Sequence, residues 1–297
     1  MGRKQGNLTA LFFVMMGFFT LGNGMEIQGH RGSRGTTPEN TLPSFQAALE
    51  AGVDAIECDL LITVDQQVVI HHDFFVNPGL CTYLDGSTIH STPLIRTVTL
   101  SELRRLDAGR LKHPKFSQQK TVPGTKIPSL EDLLTWLGNT KGLRLNLEIK
   151  RDPVFPDYTW SAKESAKIIV EKVERSGLSD RVYYSSFDPE VLAEVRLLDP
   201  QAVISFLFET KYWPDLDESW ISFVIKTATS LKANMVSPDQ VLLKEKVEVK
   251  ALQEAGFRVV TWTVNEEKRC QELEKMGVDG VITDYPHRMI QFFDENS

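Results

Sequence analysis

The feature that most constrains the fold of this chain is a regular alternation of short strand-like segments and helical segments. Such alternation indicates parallel βαβ units, in which each helix connects two neighbouring parallel strands. The nine strand candidates are Glu26–His30, Ala55–Leu61, Val68–His71, Leu143–Ile149, Arg181–Ser186, Ala202–Leu207, Ala233–Val236, Arg258–Val264 and Gly280–Thr283. The seven helix candidates are Thr41–Ala51, Ser101–Leu106, Ser129–Leu137, Ser161–Ser176, Pro189–Leu198, Leu242–Ala255 and Glu266–Met276.

Loop length shows which strand candidate lies outside the parallel set. Ala55–Leu61 and Val68–His71 are separated by about six residues, whereas a parallel crossover needs about a dozen or more. These two segments therefore form an antiparallel hairpin, and eight parallel strands remain, the number in a (β/α)₈ TIM barrel. We predict an α/β fold of this kind, with a hairpin after strand 2 and an inserted loop region at about 74–126. Insertions of this length often form lids or substrate walls.

The N-terminus has the three-part pattern of a secretory signal peptide. Basic Arg3 and Lys4 precede the apolar run Leu8–Leu21, and the small residues Gly22–Gly24 follow it. We predict a signal peptide at 1–24, a single domain at 25–297, and a secreted or periplasmic protein. The apolar run has about 14 residues, fewer than the about 20 that span a bilayer. An uncleaved membrane anchor is the alternative, and we expect no stable membrane insertion after cleavage.

The acidic charge balance limits the classes of partner. The formal net charge is −7, and no basic stripe of the kind that binds nucleic acid is present in the sequence. The expected partner is a small molecule, and an anionic substrate would need local cations to bind it. The three cysteines, Cys58, Cys81 and Cys270, are widely spaced and leave one disulfide as an open alternative.

Polar residues occur in and directly after several predicted strands, where a barrel carries its active site. Glu57 and Asp59 are two residues apart in one strand and therefore share a face, as do Glu148 and Lys150 in the next barrel strand. Charged side chains that point into a barrel are costly unless something compensates them. Glu57, Asp59 and Glu148 form an all-oxygen ligand set, which favours one divalent cation, Ca²⁺ or Mg²⁺, over zinc. The alternative is a buried structural ion pair between Lys150 and Glu57 or Glu148.

Two histidines are candidates for general acid and base. His30 ends the first strand and His72 follows the hairpin, and histidine is the side chain best suited to proton transfer near neutral pH. Adjacent strand residues point to opposite faces, so only one of His71 and His72 can reach the site. The remaining histidines are predicted to be ordinary surface residues: His90, His113 and His287.

A set of short motifs runs in order along nearly the whole chain after the apolar run. The motifs are Gly29-His30-Arg31-Gly32, Pro38-Glu39-Asn40-Thr41, Glu57-Cys58-Asp59, His72-Asp73, Ile127-Pro128-Ser129-Leu130-Glu131, Leu147-Glu148-Ile149-Lys150, Ser186-Phe187, Trp262-Thr263-Val264-Asn265 and Thr283-Asp284-Tyr285-Pro286. Together they resemble the signature of the glycerophosphodiester phosphodiesterases. The resemblance implies a TIM-barrel enzyme that hydrolyses glycerophosphodiesters, such as glycerophosphocholine or glycerophosphoethanolamine, to glycerol 3-phosphate and an alcohol.

The resemblance also implies roles for particular residues. The acid–base pair corresponds to His30 and His72, with His72 chosen over His71 because it precedes Asp73. The ligands of the Ca²⁺ or Mg²⁺ correspond to Glu57, Asp59 and Glu148. The phosphate-contacting cations correspond to Arg31 and Lys150, the substrate wall to Trp262, and a supporting carboxylate to Glu39. The attacking group is implied to be the glycerol 2-hydroxyl, which gives a cyclic phosphate that water then opens.

Three other functions remain as alternatives. The first is a phospholipase D-like enzyme on the same barrel that acts on lysophospholipids or sphingolipids, for which the aromatic residues Phe74, Phe75 and Tyr83 leave room. The second is a catalytically silent barrel used for binding. The third is an aldolase or isomerase with Lys150 as a Schiff-base lysine, which the carboxylates and histidines disfavour.

Overall fold

The structure is a computed structural model that describes residues 24–152 and 154–296. The signal peptide predicted at 1–24 thus lies outside the described residues except for Gly24. Within the described ranges, no helix is long and apolar enough to cross a membrane.

The described residues contain eleven strands and nine α-helices. The strands are β1 (Glu26–His30), β2 (Ala55–Ile62), β3 (Val68–Ile70), β4 (Thr82–Tyr83), β5 (Leu106–Asp107), β6 (Arg144–Ile149), β7 (Val182–Ser186), β8 (Val203–Phe208), β9 (Met235–Pro238), β10 (Arg258–Thr261) and β11 (Gly280–Thr283). The helices are α1 (Leu42–Ala51), α2 (Leu100–Leu103), α3 (Leu130–Gly138), α4 (Ala162–Ser176), α5 (Pro189–Leu198), α6 (Trp220–Ser230), α7 (Lys246–Glu254), α8 (Glu267–Met276) and α9 (Pro286–Asn296).

The strands form a closed parallel barrel. In the described part of the chain, eight strands (β1, β2 and β6–β11) pair in parallel, and β1 pairs with both β2 and β11, which closes the sheet. The predicted (β/α)₈ barrel is therefore confirmed. Strand β3 pairs antiparallel with β2, with Leu60 opposite Ile70, so the hairpin inferred from loop length is also confirmed.

Side-chain alternation in the strands separates two apolar layers. In β2, Ile56, Cys58 and Leu60 pack in the large core between the strands and the helices. The other face of the sheet points into the barrel, where Ala55 packs in a smaller cluster with Tyr183 of β7. Because the side-chain period of a strand is two, the face that carries Ala55 also carries the carboxylates of β2.

The inserted region after β3 has its own small core. Cys81, Ile95 and Leu103 pack there on Leu61 and Val69 of the β2–β3 hairpin. The helix predicted at Ser101–Leu106 is shorter in the structure, because α2 ends at Leu103 and the chain continues into β5, which pairs with β4. The insertion is thus anchored next to the carboxyl end of β2.

Two helices were not predicted, α6 and α9. Helix α6 is rich in aromatic and β-branched residues, which have weak helix propensity, and it forms because Val224 and Ala228 are buried against the barrel. Tertiary burial therefore decides this helix. The cysteines Cys58, Cys81 and Cys270 are buried free thiols.

Candidate active site

The turn after β1 explains why a Gly-His-Arg-Gly sequence is needed there. The N–H of Gly32 donates to the carbonyl of Gly29 at 3.3 Å, and Arg31 adopts the left-handed conformation with φ 51°. Gly32 has φ 86°, and a Cβ atom there would lie 2.6 Å from the carbonyl carbon of Ser44. Only glycine fits this close approach to α1. The turn therefore fixes the backbone of Arg31 so that its N–H donates to Glu57 Oε2 at 3.0 Å.

Sheet register brings the predicted site residues together at the carboxyl end of the barrel. His30 of β1 is paired with Glu57 of β2, and Asp59 of β2 is paired with Glu148 of β6. One carboxylate oxygen from each of Glu57, Asp59 and Glu148 lies within 4.8 Å of the other two. All three side chains are buried or nearly so, so this is a compact cluster of negative charge with little access to water.

The carboxylate cluster has the properties of a divalent cation site. Among the described residues, Glu57 Oε1 and Asp59 Oδ1 are buried without a hydrogen-bond partner. Burial raises the pKa of Glu57 well above its ordinary value, and the neighbouring carboxylates of Asp59 and Glu148 raise it further. A bound cation would satisfy the two oxygens and relieve the repulsion, and a hard oxygen set of this kind suits Ca²⁺ or Mg²⁺.

Two cationic side chains border the cluster. Arg31 NH1 donates to Glu39 Oε1 at 2.8 Å, and Arg31 Nε lies 3.2 Å from Asp59 Oδ2. Although burial opposes the charged form, Glu39, Asp59 and Glu57 raise the pKa of Arg31. Lys150 Nζ lies 2.8 Å from Glu148 Oε1 and 3.5 Å from Asp59 Oδ1.

The buried ion pair predicted as the alternative to a cation site is therefore present, between Lys150 and Glu148. It does not account for the cluster as a whole, because within the described ranges it leaves Glu57 Oε1 unpartnered. Burial opposes the charge of Lys150 as well, but Glu148 and Asp59 raise its pKa. Both cations thus remain charged and available to an anionic ligand.

His30 is oriented by a carboxylate from the last strand. Its Nδ1 lies 2.6 Å from Asp284 Oδ1, and Asp284 is held in turn by the Asn265 amide, which donates to Oδ2 at 2.8 Å. An ionised carboxylate only accepts, so neutral His30 carries its proton on Nδ1 and presents the lone pair of Nε2, which is 3.9 Å from Glu57 Oε2. Burial lowers the pKa of His30, although Asp284 opposes this.

His72, which follows the β2–β3 hairpin, is held by a carboxylate in the same way. Its Nδ1 lies 2.7 Å from Asp73 Oδ1, and Asp73 Oδ2 accepts from the Asn77 amide at 2.6 Å. Burial, together with the positive charges of Lys150 and Arg31, lowers the pKa of His72 to about 4. His71 lies instead against the insertion, with its Nε2 3.2 Å from the carbonyl oxygen of Phe75.

An aromatic wall follows the strand ends of β7, β8 and β10. The Trp262 ring meets Phe187 edge-on, with centroids 5.4 Å apart, and Phe187 lies 4.9 Å from Tyr212. Trp262 Nε1 donates to the carbonyl of Ser237 at 2.8 Å, so its ring, rather than its N–H, is available to a ligand. Burial raises the pKa of the Tyr212 hydroxyl, although the positive charge of Lys150 opposes this. Phe187 belongs to one of the sequence motifs, but neither Phe187 nor Tyr212 is among the site residues predicted from the sequence. A local pattern does not distinguish an aromatic residue at a site from one that packs in a core.

One prediction about the histidines was wrong. His113 was expected at the surface, but it is only 8% exposed, and its Nε2 lies 3.7 Å from Glu39 Oε2. Glu39 also accepts hydrogen bonds from Arg31 and Arg34. These cations outweigh burial and lower the pKa of Glu39 to about 2. The burial of His113 results from packing between the insertion and the barrel, which no local sequence pattern reports.

Comparison with known proteins agrees with this geometry. Residues 30–288 match the Glycerophosphoryl diester phosphodiesterase family. A glycerophosphodiester phosphodiesterase from Caldanaerobacter subterraneus subsp. tengcongensis is 29% identical over 88% of this chain and 94% of that protein. A Lysophospholipase D from Mus musculus is 24% identical over 90% of this chain and 86% of that protein.

Two solved structures extend the comparison. A putative glycerophosphoryl diester phosphodiesterase from Silicibacter pomeroyi has a TM-score of 0.83 and 28% identity over 92% of this chain and 94% of its own. A phosphodiesterase from Oleispira antarctica, in complex with the product sn-glycerol-3-phosphate, has a TM-score of 0.73 and 25% identity, over 91% of this chain and 96% of its own. Because the family match at residues 30–288 covers nearly all of the described barrel, this chain belongs to the glycerophosphoryl diester phosphodiesterase family.

Proposed function

We propose that the protein hydrolyses glycerophosphodiesters, such as glycerophosphocholine or glycerophosphoethanolamine, to glycerol 3-phosphate and an alcohol. The observation that carries this proposal is the position of the carboxylates Glu57, Asp59 and Glu148 next to the cations Arg31 and Lys150. The glycerol 3-phosphate in the structure of the Oleispira antarctica relative supports the glycerol phosphate half of the substrate.

One divalent cation, Ca²⁺ or Mg²⁺, is the proposed cofactor, with Glu57, Asp59 and Glu148 as its ligands. A bound cation would supply positive charge against the phosphodiester oxygens in a site where the net protein charge repels an anion. Arg31 and Lys150 contribute the fixed positive charge of the chain itself. Both are held by carboxylates, so little reorganisation is needed when a phosphodiester binds.

The two histidines are proposed to transfer the protons. Each donates its Nδ1 proton to an aspartate, Asp284 or Asp73, and so presents Nε2 as a proton acceptor. One histidine removes a proton from the attacking hydroxyl, and its aspartate stabilises the imidazolium that forms. The other protonates the leaving alkoxide. A histidine with a low pKa in the free protein is able to act as this acid because an adjacent phosphodiester anion raises its pKa.

The nucleophile in this proposal is the glycerol 2-hydroxyl of the substrate, with water opening the resulting cyclic phosphate in a second step. In this second step the two histidines exchange roles. The histidine that accepted the proton of the 2-hydroxyl returns it to that oxygen, and the other histidine removes a proton from the attacking water. This order predicts that the substrate needs glycerol on one side of the phosphate and that different alcohols are tolerated on the other. The ring of Trp262 is proposed to contact the substrate at the wall of the site.

A specific surface feature favours a second candidate, a phospholipase D-like activity on lysophospholipids or sphingolipids. Phe155 stacks on Tyr158 with centroids 5.1 Å apart, and Phe75 lies edge-on to Tyr158 at 5.3 Å. Phe155 is 51% exposed and neighbouring Val154 is 58% exposed. These four residues form the apolar rim, which follows Lys150 and His72 by only a few residues. Such a rim suits a substrate whose phosphate-bearing half carries an apolar chain, as in a lysophospholipid.

The experiment that tests both candidates is a coupled assay for released glycerol 3-phosphate with a panel of diesters. Glycerophosphocholine and glycerophosphoethanolamine test the first candidate, and release of choline from lysophosphatidylcholine tests the second. Each reaction is run with a chelator, without it, and with Ca²⁺ or Mg²⁺ restored. Absence of glycerol 3-phosphate release from every glycerophosphodiester would refute the main proposal.

We further propose that residues 1–24 are removed as a signal peptide and that the mature protein, 25–297, is secreted or periplasmic. The support is the basic start followed by a short apolar run. N-terminal sequencing of exported protein tests this proposal. A mature chain that begins at Met1 contradicts it.

A further inference from the structure

A short part of the insertion contacts the loop that carries His30 and Arg31. We call residues 113–120 the contact segment. The Gln119 side-chain amide donates to the carbonyls of Arg34 at 2.8 Å and Thr37 at 3.2 Å, and the N–H of Lys120 donates to the carbonyl of Thr36 at 2.8 Å. These bonds join the insertion to the backbone of the loop after β1.

The side chain of Arg34 lies at the centre of this contact. Its Nε donates to Glu39 Oε2, its NH1 lies 3.8 Å from Asp284 Oδ1, and its guanidinium lies over the Phe116 ring at 5.0 Å from the centroid. Arg34 is only 15% exposed. Glu39 is the carboxylate that binds Arg31, and Asp284 is the one that binds His30. A single guanidinium therefore touches the partners of both functional side chains.

His113 completes the surroundings of Arg34. The N–H of Lys115 donates to His113 Nδ1 at 3.1 Å, so neutral His113 carries its proton on Nε2. That nitrogen lies 3.7 Å from Glu39 Oε2 and 3.4 Å from Arg34 NH2. The N–H groups of His113 Nε2 and Arg34 Nε therefore both face the same acceptor, Glu39 Oε2. Because His113 Nε2 and Arg34 NH2 are both donors, the contact between them is packing rather than a hydrogen bond.

We propose that Arg34 is a positioning residue that joins Asp284 to Glu39 and thereby fixes the His30 imidazole and the Arg31 guanidinium relative to each other. The contact segment holds Arg34 in this place through Phe116, His113 and Gln119. The insertion then has a second role besides forming a wall of the site, because it determines the geometry of the loop after β1. The expected effect of Arg34 on turnover rests on the proposed function, whereas its expected effect on the geometry of His30 does not.

The kinetic test compares Arg34→Gln and Arg34→Lys with a matched control, Arg110→Gln. Arg110 lies in the insertion, away from the loop after β1 in sequence, and like Arg34 it pairs with a carboxylate, here Asp107 at 3.1 Å. Because a displacement of about 1 Å in a site costs up to about a hundredfold in rate, we expect Arg34→Gln to lower kcat by about ten- to a hundredfold. The KM for glycerophosphocholine should change less than about threefold. Arg34→Lys should recover part of the loss, since a lysine pairs with Glu39 but does not bridge to Asp284.

A spectroscopic measurement separates this inference from the proposed function. The ¹⁵N signals of the His30 ring report its hydrogen bond to Asp284 whether or not a substrate is turned over. We expect these signals to move in Arg34→Gln and to stay unchanged in Arg110→Gln. A wild-type protein that releases no glycerol 3-phosphate refutes the proposed function, whereas unmoved His30 signals refute the role of Arg34.

Loss of folding is separated from loss of positioning by thermal denaturation and by a second variant. Phe116→Leu removes the ring under the Arg34 guanidinium and leaves every charge in place. We therefore expect kcat to decrease in this variant as well, but by less than in Arg34→Gln. If Arg34→Gln does not fold, Arg34→Lys and Phe116→Leu provide the test. Wild-type kcat in all folded variants overturns the proposal.

Discussion

Nδ1 of His30 lies 2.6 Å from Oδ1 of Asp284, a contact between residues 254 positions apart that joins the end of β1 to the residue after β11. The closure of the barrel between its first and last strands creates this pair. The aspartate fixes which nitrogen of His30 carries the proton, and so leaves Nε2 directed at the carboxylate cluster.

Asp284→Asn should therefore impair turnover more than folding. An asparagine amide no longer accepts and stabilises the Nδ1 proton in the same way, so the neutral tautomer and the imidazolium both lose their support. We expect kcat for glycerophosphocholine to fall by about 10²–10⁴-fold, while the melting temperature changes little. Asp180→Asn at an exposed position is the matched control, and equal turnover in the two variants would contradict this role.

The three histidines near the site should respond differently to replacement by alanine. His30→Ala and His72→Ala should each lower turnover by about 10²–10⁴-fold, as expected for a lost acid or base. His71→Ala should keep most of the activity, since its ring bonds the Phe75 carbonyl of the insertion instead. Steady-state assays of the three purified variants decide this, and a loss in His71→Ala equal to that in His72→Ala would reassign the acid–base pair.

Cation removal should abolish activity and lower stability. We propose above that a cation binds the buried, mutually repelling carboxylates of Glu57 and Asp59. A ligand that binds only the native state raises the melting temperature. We expect chelation to lower activity at least about a hundredfold, with recovery on addition of Ca²⁺ or Mg²⁺. Glu57→Gln should weaken the melting-temperature response to the cation, and Glu50→Gln on the outside of α1 should not. Full activity in excess chelator would rule out the cation.

The ion pairs of Glu39 should make the protein sensitive to acid. Its pKa is lowered from 4.5 to about 2 in the folded state, so Glu39 stabilises the native protein above about pH 4.5, and this stabilisation is lost as the pH falls towards 2. We expect the difference in unfolding free energy between wild type and Glu39→Gln to be largest near neutral pH and to shrink as the pH falls from about 4.5 towards about 2. Urea denaturation at a series of pH values measures it. A difference that does not vary with pH would exclude this linkage.

The apolar rim should matter only for substrates with an apolar chain. Phe155→Ala removes an exposed aromatic surface, and from the free energy of apolar burial we expect about a tenfold rise in the KM for lysophosphatidylcholine. The KM for glycerophosphocholine should not change. Leu197→Ala, on the exposed outer face of α5 at 75% exposure, is the matched control. Equal effects of Phe155→Ala on both substrates would remove the support for the second candidate function.

The sequence by itself determined the barrel and much of the carboxylate cluster. The number of strands follows from local hydrophobic runs, and the β2–β3 hairpin follows from a connection too short for a parallel crossover. The shared face of Glu57 and Asp59 follows from the strand period of two. These features depend on residues that are close in sequence, which is why local patterns report them.

Only the tertiary structure decided which distant side chains meet. The pairing of His30 with Asp284 depends on barrel closure, and the burial of His113 depends on how the insertion packs on the loop after β1. The aromatic contact between Phe187 and Trp262 likewise joins separate strand ends. Such contacts result from sheet register and long-range packing, and a pattern within one segment carries no information about the residue that will lie opposite it in space.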